Sequence, residues 1–543
     1  MARKIRTRLK IKGSLVANSP LHIGGNDGSA LVDLALAVNG QGAYYIPGTS
    51  LAGALRAWMA SEGALTNLVE DLWGNQEKSG KEKLGHASYI LIEDAPINKD
   101  VKSKDVKTEI REDTPINKGV KTEIRDGVGI DRYYGTAAEQ VKFDRAILPK
   151  GTEIPLVMTV EHADKSPIDW ETRKGAVVAL LKALEGQEIR LGAAKTRGLG
   201  RVQLKNPTIL EQDLCSAEGM LGALRNQGTS LSLGALAEKV CVPPARSKLT
   251  VAIDWEPVGP LMVKAEADGI AVDTLPLVSA VGDHLTFVLP GSAIKGALRS
   301  QAERIIRTLQ AVSLEPDRKF NDQLQAVPLI QEVFGSAARL KPGSNPQKKE
   351  QHGRLGALAV DDCYAKLAIQ PEQWSQIESA ANERELRQRL NAAQLHQTQQ
   401  AFHVAVDRWT GGAADGFLYS TLEPMGVTWE PIGLTLDLNW LNRTASDTTA
   451  IASIALVLLL LRDLAAGRIP LGYGVNRGMG AIQINHIQIQ GYGLEDLNNS
   501  LQLLAQQSLA AGQLSALPGG CLETLNEAWK NWVHQHLQGG ETP

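Results

Sequence analysis

The chain has 543 residues, 43% of them hydrophobic and 22% charged, with a formal net charge of −3. That length exceeds the size at which a single hydrophobic core stops growing, so two domains of roughly 200 residues each are expected. The near-neutral balance excludes a chain that attracts nucleic acid by bulk charge, so any such site is local or assembled with neighbouring subunits. No N-terminal apolar stretch resembles a signal peptide, which makes a cytoplasmic location the expectation. The longest apolar run, 450–461, is broken by Ser453 and falls short of the ~20 residues a membrane span needs. It reads as a buried helix, and no membrane partner is expected. Cys215, Cys241, Cys363 and Cys521 are isolated, without histidines at zinc-finger spacing, and read as reduced thiols without structural zinc.

In chain order, Arg6, Arg8, Lys10 and Lys12 alternate with Thr7, Leu9 and Ile11, the pattern of a strand with one buried and one basic face. A turn, Pro20-Leu21-His22-Ile23-Gly24-Gly25, and a Val32-Asp33 loop follow. Ile46-Pro47-Gly48-Thr49-Ser50 starts a helix with Leu51, Leu55 and Trp58 on one face, and a hydroxyl is the expected cap of its free amides. Next come Trp73-Gly74 and a charged local duplication, in which Pro-Ile-Asn-Lys at 96–99 and 115–118 each precede a Val-Lys-Thr-Glu-Ile-Arg stretch. Asp131-Arg132-Tyr133-Tyr134-Gly135, an apolar helix over 174–185, the glycine loop Lys195-Thr196-Arg197-Gly198-Leu199-Gly200 and a strand over 201–204 complete the series.

After a stretch read as a linker, 207–245, the series returns in the same order. A strand begins at Lys248, and Pro260-Leu261-Met262-Val263 and Val272-Asp273 follow. Then come Leu289-Pro290-Gly291-Ser292, Phe334-Gly335, Asp407-Arg408-Trp409-Thr410-Gly411, an apolar helix over 449–466, and Val475-Asn476-Arg477-Gly478-Met479-Gly480 before a last strand. Matched landmarks in one order mean an internal duplication. Strand, helix, strands, helix, strand is the order of a ferredoxin-like α+β domain, the layout of the RNA-recognition motif. The expected organisation is therefore two tandem domains, 1–206 and 246–490, the second with a helical insertion near 372–400, and a helical tail over 491–543.

These landmarks resemble the RAMP superfamily of CRISPR-associated proteins, and within it the Cas-seven-like backbone subunits of type III effector complexes. The family pattern joins a Leu-His-Ile-Gly start, a Val-Asp loop, a Pro-Gly-Ser-Ser-Leu-Lys-Gly-Ala-Leu-Arg helix start, an Asp-Arg-x-Thr-Gly segment and an Arg-Gly-x-Gly loop. Both halves fill most of it, although His22 corresponds to Met262 and the family's helix lysine is Ala52 in the first half and Lys295 in the second. The resemblance implies a subunit that lies along a CRISPR guide RNA in a filament and pairs it with complementary target RNA. Its implied neighbours are other RAMP backbone subunits and the large signature subunit. It also implies that the aspartate after the first strand supports Mg²⁺-dependent cleavage of the target.

On that pattern Asp33 and Asp273 are the candidate catalytic and metal-binding residues. RNA brings its own 2′-hydroxyl nucleophile, so one carboxylate acting as base or holding Mg²⁺ through water suffices. The alternative for each is a turn-capping aspartate. His22 either polarises a phosphate or is a hydrogen-bonded structural residue. Lys195 and Arg197, with Asn476 and Arg477, sit where freed amides form an anion nest, or where a tight turn presents an arginine to a carboxylate. Backbone amides with Ser50 and Arg56, or with Ser292, Lys295 and Arg299, can cradle a phosphate at the helix starts. Tyr133 and Trp409 can stack on bases or pack in the core. The segment 99–125 is either a hairpin that wedges the guide–target duplex or a solvated loop. A non-catalytic backbone subunit and a guide-processing RAMP endonuclease are the alternative functions.

Overall fold

The computed structural model describes residues 3–25, 32–61, 65, 68–75, 85–97, 120–163, 168–239, 247–266, 268–316, 318–324, 327, 329–337, 339–340, 349–351, 353–510 and 513–537. Alternation in the first strand, Ile5–Ala17, buries Leu9, Ile11, Leu15 and Ala17 on one face. This strand is central, paired antiparallel with Glu153–Ala163 on one side and Val202–Asp213 on the other. Ile90–Ile92 extends the sheet beyond Glu153–Ala163, and Thr229–Leu231 extends it beyond Val202–Asp213. The buried faces of helices Gly48–Ser61 and Trp170–Glu185 share one core with the sheet's apolar side chains.

The second half repeats this plan. Lys248–Pro257 is central between Ile432–Asp437 and Ile482–Tyr492, Leu358–Asp361 lies outside the former and Gln506–Ala510 outside the latter. In both sheets the last strand of the repeat therefore borders the first, which borders the third, which borders the second. Helices Gly291–Gln310 and Asp447–Ala465 enter the second core, as do Leu525 and Trp532 of the C-terminal helix Gly519–Leu537. Helix Asp447–Ala465 is long and apolar enough to cross a membrane by length and composition, but it is mostly buried inside the protein. The second sheet gains a sixth strand from the first half, because Arg197–Gly198 runs parallel to Leu358–Asp361.

Two hairpins stand outside these sheets, Glu123–Ile130 with Ala137–Ile147, and Gln399–Val406 with Ala413–Glu423. The first docks on the second repeat: Glu123 accepts from the Ala280 amide at 2.6 Å, and Gly129 lies against the Phe320 ring with no room for a Cβ.

Several sequence expectations change. The stretch 207–245 is no bare linker: it completes the strand ending at Asp213 and supplies helix Ala217–Leu224, the edge strand Thr229–Leu231 and helix Leu233–Lys239. The tail is not only helical, since Gln506–Ala510 joins the sheet. The insertion is helical over Pro371–Glu378 and Glu383–Ala392, after which the chain is already in the second hairpin. Most of the candidate wedge 99–125 lies outside the described residues; its last residues, from Glu123, begin the first hairpin.

Candidate nucleic-acid interface

Asp33 and Asp273 occupy the same place in the two repeats. The Asp33 amide donates to Asp144 Oδ1 at 2.6 Å, and the Asp144 amide donates back to Asp33 Oδ2 at 3.0 Å. In the second repeat the Ser420 amide and hydroxyl donate to Asp273 Oδ2 at 2.7 and 3.0 Å, and the Asp273 amide donates to Ser420 Oγ at 3.2 Å. Each aspartate is thus exposed but tied to the second strand of its own hairpin. The Ser420 amide holds the Asp273 carboxyl below its usual pKa, with the Ser420 hydroxyl and the Lys264 charge adding to the effect. Asp33 faces a second carboxylate, whereas Asp273 faces a hydroxyl.

His22 lies beneath the Asp33 loop, only 4% exposed, with Nδ1 2.7 Å from the Ala146 carbonyl oxygen. Burial lowers its pKa against the opposing pull of that carbonyl, and the nearby Arg145 charge lowers it further. A neutral ring donating from Nδ1 is the consequence, which gives His22 a positioning part and takes it out of contact with solvent.

The glycine loop of the first repeat is anchored on the same residue, with Ala193 donating its amide to the His22 carbonyl at 2.9 Å. Beside it stands Arg145, which the sequence reading missed. Its Nε is buried without a hydrogen-bond partner among the described residues, and burial together with the Arg197 charge pushes its pKa down to about 10. Burial also lowers Lys195. No ion pair to a carboxylate involves Arg145, Lys195 or Arg197 among the described residues. Cations gathered without counter-charge are costly unless an anion joins them. The only sequence signal for Arg145 is its place next to Asp144, in a strand whose role becomes visible once Asp33 is seen to pair with it.

In the second repeat Arg477 is handled differently. Its guanidinium lies 4.9 Å from the Tyr473 ring centroid and 5.6 Å from that of Tyr419, and donates to the Tyr419 hydroxyl. Tyr419 in turn stacks on His403 at 5.1 Å. Such a pile offers flat faces to bases and one charge to phosphate. Asn476 is exposed beside it.

The helix starts depart from expectation. The Gly48 amide donates to Asp94 Oδ1 and the Gly291 amide to Asp362 Oδ1, each at 2.7 Å. A carboxylate therefore sits at the first turn of both helices, where the hydroxyls of Ser50 and Ser292 were expected to cap and a phosphate was expected to bind. A charged acceptor is favoured there because it meets both the free amide and the positive end of the helix dipole. Lys295 is 5% exposed and donates to the Leu358 carbonyl at 2.6 Å, so its ammonium does not reach a surface ligand. Arg299 is engaged with Glu303 at 2.8 Å, whereas Arg56 is exposed on its helix.

The aromatic residues stand at the hairpin tips, exposed and outside the core. Asp131 Oδ1 accepts the amides of Tyr133 and Tyr134, and Asp407 Oδ1 accepts those of Trp409 and Thr410. The Tyr134 amide lowers the Asp131 pKa most, and the Thr410 amide does the same for Asp407. Trp409 is 96% exposed. The first tip is fixed to the second repeat by Arg132, 2.7 Å from Glu303.

The family model of the RAMP superfamily matches residues 14–203 and again 280–483, together well over half of the chain. Each match takes in one Pro-Gly helix start, one long hairpin and one glycine loop, while the central strand Lys248–Pro257 lies outside the second match. The chain belongs to the RAMP superfamily, a CRISPR-associated family, and carries two regions of that kind in an α+β architecture. A search of curated proteins finds no match.

Proposed function

We propose that each repeat is a ferredoxin-like, Cas-seven-like domain and that the chain is a guide-RNA-binding backbone subunit of a cytoplasmic type III effector complex that cleaves complementary target RNA. The strand order last–first–third–second in both sheets supports the domain reading. One observation carries the catalytic reading: the exposed Asp33 carboxylate is held by the amide of Asp144, the residue next to Arg145, and Arg145, Arg197 and Lys195 form no ion pair with a carboxylate among the described residues.

In this reading Arg145 and Arg197 grip the phosphate of a splayed RNA backbone, and the carboxylate of Asp33 accepts the proton of the attacking 2′-hydroxyl. The amide of Asp144 holds that carboxylate in one orientation, and neutral His22 supports the loop from below. No group of three or more histidine, cysteine, aspartate or glutamate side chains converges among the described residues. Asp33 and Asp144 together fit a Mg²⁺ that keeps several of its waters, as this ion usually does. When bound there it supplies charge neutralisation at the phosphate. Asp273, with Ser420 in place of the second carboxylate, is the weaker site. Lys195, Arg197, Asn476, Arg477, Arg56, Tyr133 and Trp409 remain the proposed RNA contacts. Other backbone subunits and the large signature subunit are the proposed neighbours.

The scaffold reading draws on the hydrogen bonds that tie each aspartate to its hairpin. Cleavage of target RNA by the guide-loaded complex with Mg²⁺ separates the two. Asp33→Ala is expected to reduce one product by on the order of 10²–10⁴-fold with target binding intact. Asp273→Ala is expected to remove a second, weaker product. An unchanged ladder in the double variant assigns the chain to the scaffold.

A further inference from the structure

The two repeats carry the same acidic corner but use it differently. In the second repeat it is covered by the first. Arg197–Gly198 adds a parallel strand to Leu358–Asp361, and a Cβ placed on Gly198 would stand 1.9 Å from Asp362 Oδ1 and 3.1 Å from the Gly291 nitrogen. Arg190 and Arg201 each reach Asp361 at 2.6 Å, and Arg125 from the hairpin pairs with Asp362. Asp361 and Asp362 are the equivalents of Glu93 and Asp94, which follow the edge strand Ile90–Ile92. At that edge no strand is added beyond Ile90–Ile92 among the described residues, Glu93 and Asp94 are exposed, and Asp94 meets only the Gly48 amide.

We infer that this edge of the first repeat docks a glycine loop of another chain, one that carries arginines where Arg125, Arg190 and Arg201 stand here. The internal interface is the template, and charge selects the occupant. A second copy of this chain does not fit, because its outward loop holds Pro470, Ala481 and Ala401 at the places of Arg190, Arg201 and Arg125. It offers the glycine, Gly478, whose Cβ position is open, but it would bury Glu93 and Asp94 without those partners. The contact is head-to-tail, so it sets which face of this chain meets which neighbour, and the missing arginines stop the chain from propagating by itself. It does not depend on RNA binding or cleavage.

Grafting the missing arginines tests this on the full chain. Wild type is expected to sediment as a monomer. Ala401→Arg/Pro470→Arg/Ala481→Arg, all at exposed or half-exposed positions, is expected to self-associate at least about tenfold more tightly and to weaken with salt. Adding Glu93→Lys is expected to return it to a monomer, and that quadruple variant mixed with wild type is expected to give a one-to-one complex. Thermal melts establish that each variant is folded; Ala481→Arg alone, which leaves the proline and the hairpin untouched, replaces the triple variant if that melts early, with a weaker dimer expected. A folded variant that stays monomeric overturns the docking site. Wild-type self-association abolished by Glu93→Lys overturns the choice of partner.

Discussion

The two repeats are alike in their backbone anchors and unlike in their charges. Both tie the loop aspartate to the hairpin by reciprocal hydrogen bonds, both cap the first helix with a carboxylate, and both build the aspartate turn at the hairpin tip. The first adds Asp144, Arg145 and His22 around its aspartate, where the second has Ser420, Thr421 and Met262. The second buries its acidic corner under the first repeat's arginines, whereas the first leaves its own in solvent. Duplication has kept the interactions that position the chain and changed the side chains that decide what each copy touches.

The largest stability contrast is expected between the two helix-capping aspartates. Asp362→Ala removes the close carboxylate partner of buried Arg125, leaving it the longer contact to Glu123 and the Ser279 hydroxyl, and leaves the Gly291 amide unmet; it is expected to cost about 3–5 kcal/mol in urea unfolding. Asp94→Ala removes a cap at an exposed corner and is expected to cost about 1 kcal/mol. Equal losses would break the contrast between a covered and an open corner.

Lys295 and its counterpart Ala52 give a pH-dependent contrast. Burial first, then the charges of Arg197, Arg299 and Arg190, bring the Lys295 pKa from 10.5 down to about 7. The folded state therefore loses this proton near pH 7 while the unfolded chain keeps it to about pH 10.5. Its penalty is full below pH 7 and is relieved as pH rises through that window. The melting temperature of wild type minus that of Lys295→Met is expected to increase from pH 7 to pH 10. A difference that stays flat would mean that Lys295 is not held in so desolvated a place.

The smallest effect expected is on RNA affinity. Arg145→Thr, which gives the first repeat the residue of the second, is expected to weaken guide binding uniformly across sequences. It should also reduce the slope of log affinity against log salt by about one. Anisotropy titrations at several salt concentrations measure both, and an unchanged slope for Arg145→Thr removes this arginine from the phosphate grip.

Periodicity and repetition made much of this architecture legible. The alternation at Arg6–Lys12, the Pro-Gly helix starts and the paired glycine loops are local signals, set by strand pleat, helix period and positive φ at Gly198 and Gly478. The exposed aspartates in their Val-Asp loops were legible for the same reason. Lys295 and Arg299 were not, because a lysine that follows a helix start looks the same in sequence whether it points to solvent or to the Leu358 carbonyl. Nor was Arg145, whose meaning depends on a strand from elsewhere in the chain lying beside the Asp33 loop. The sequence by itself determined the duplication, the order of elements and the family, because those depend on short-range pattern. Only the tertiary structure decided which charges are spent between the repeats and which remain free. That choice rests on contacts such as Arg190 with Asp361 and Arg125 with Asp362, which join residues far apart in the chain and leave no mark in either local stretch.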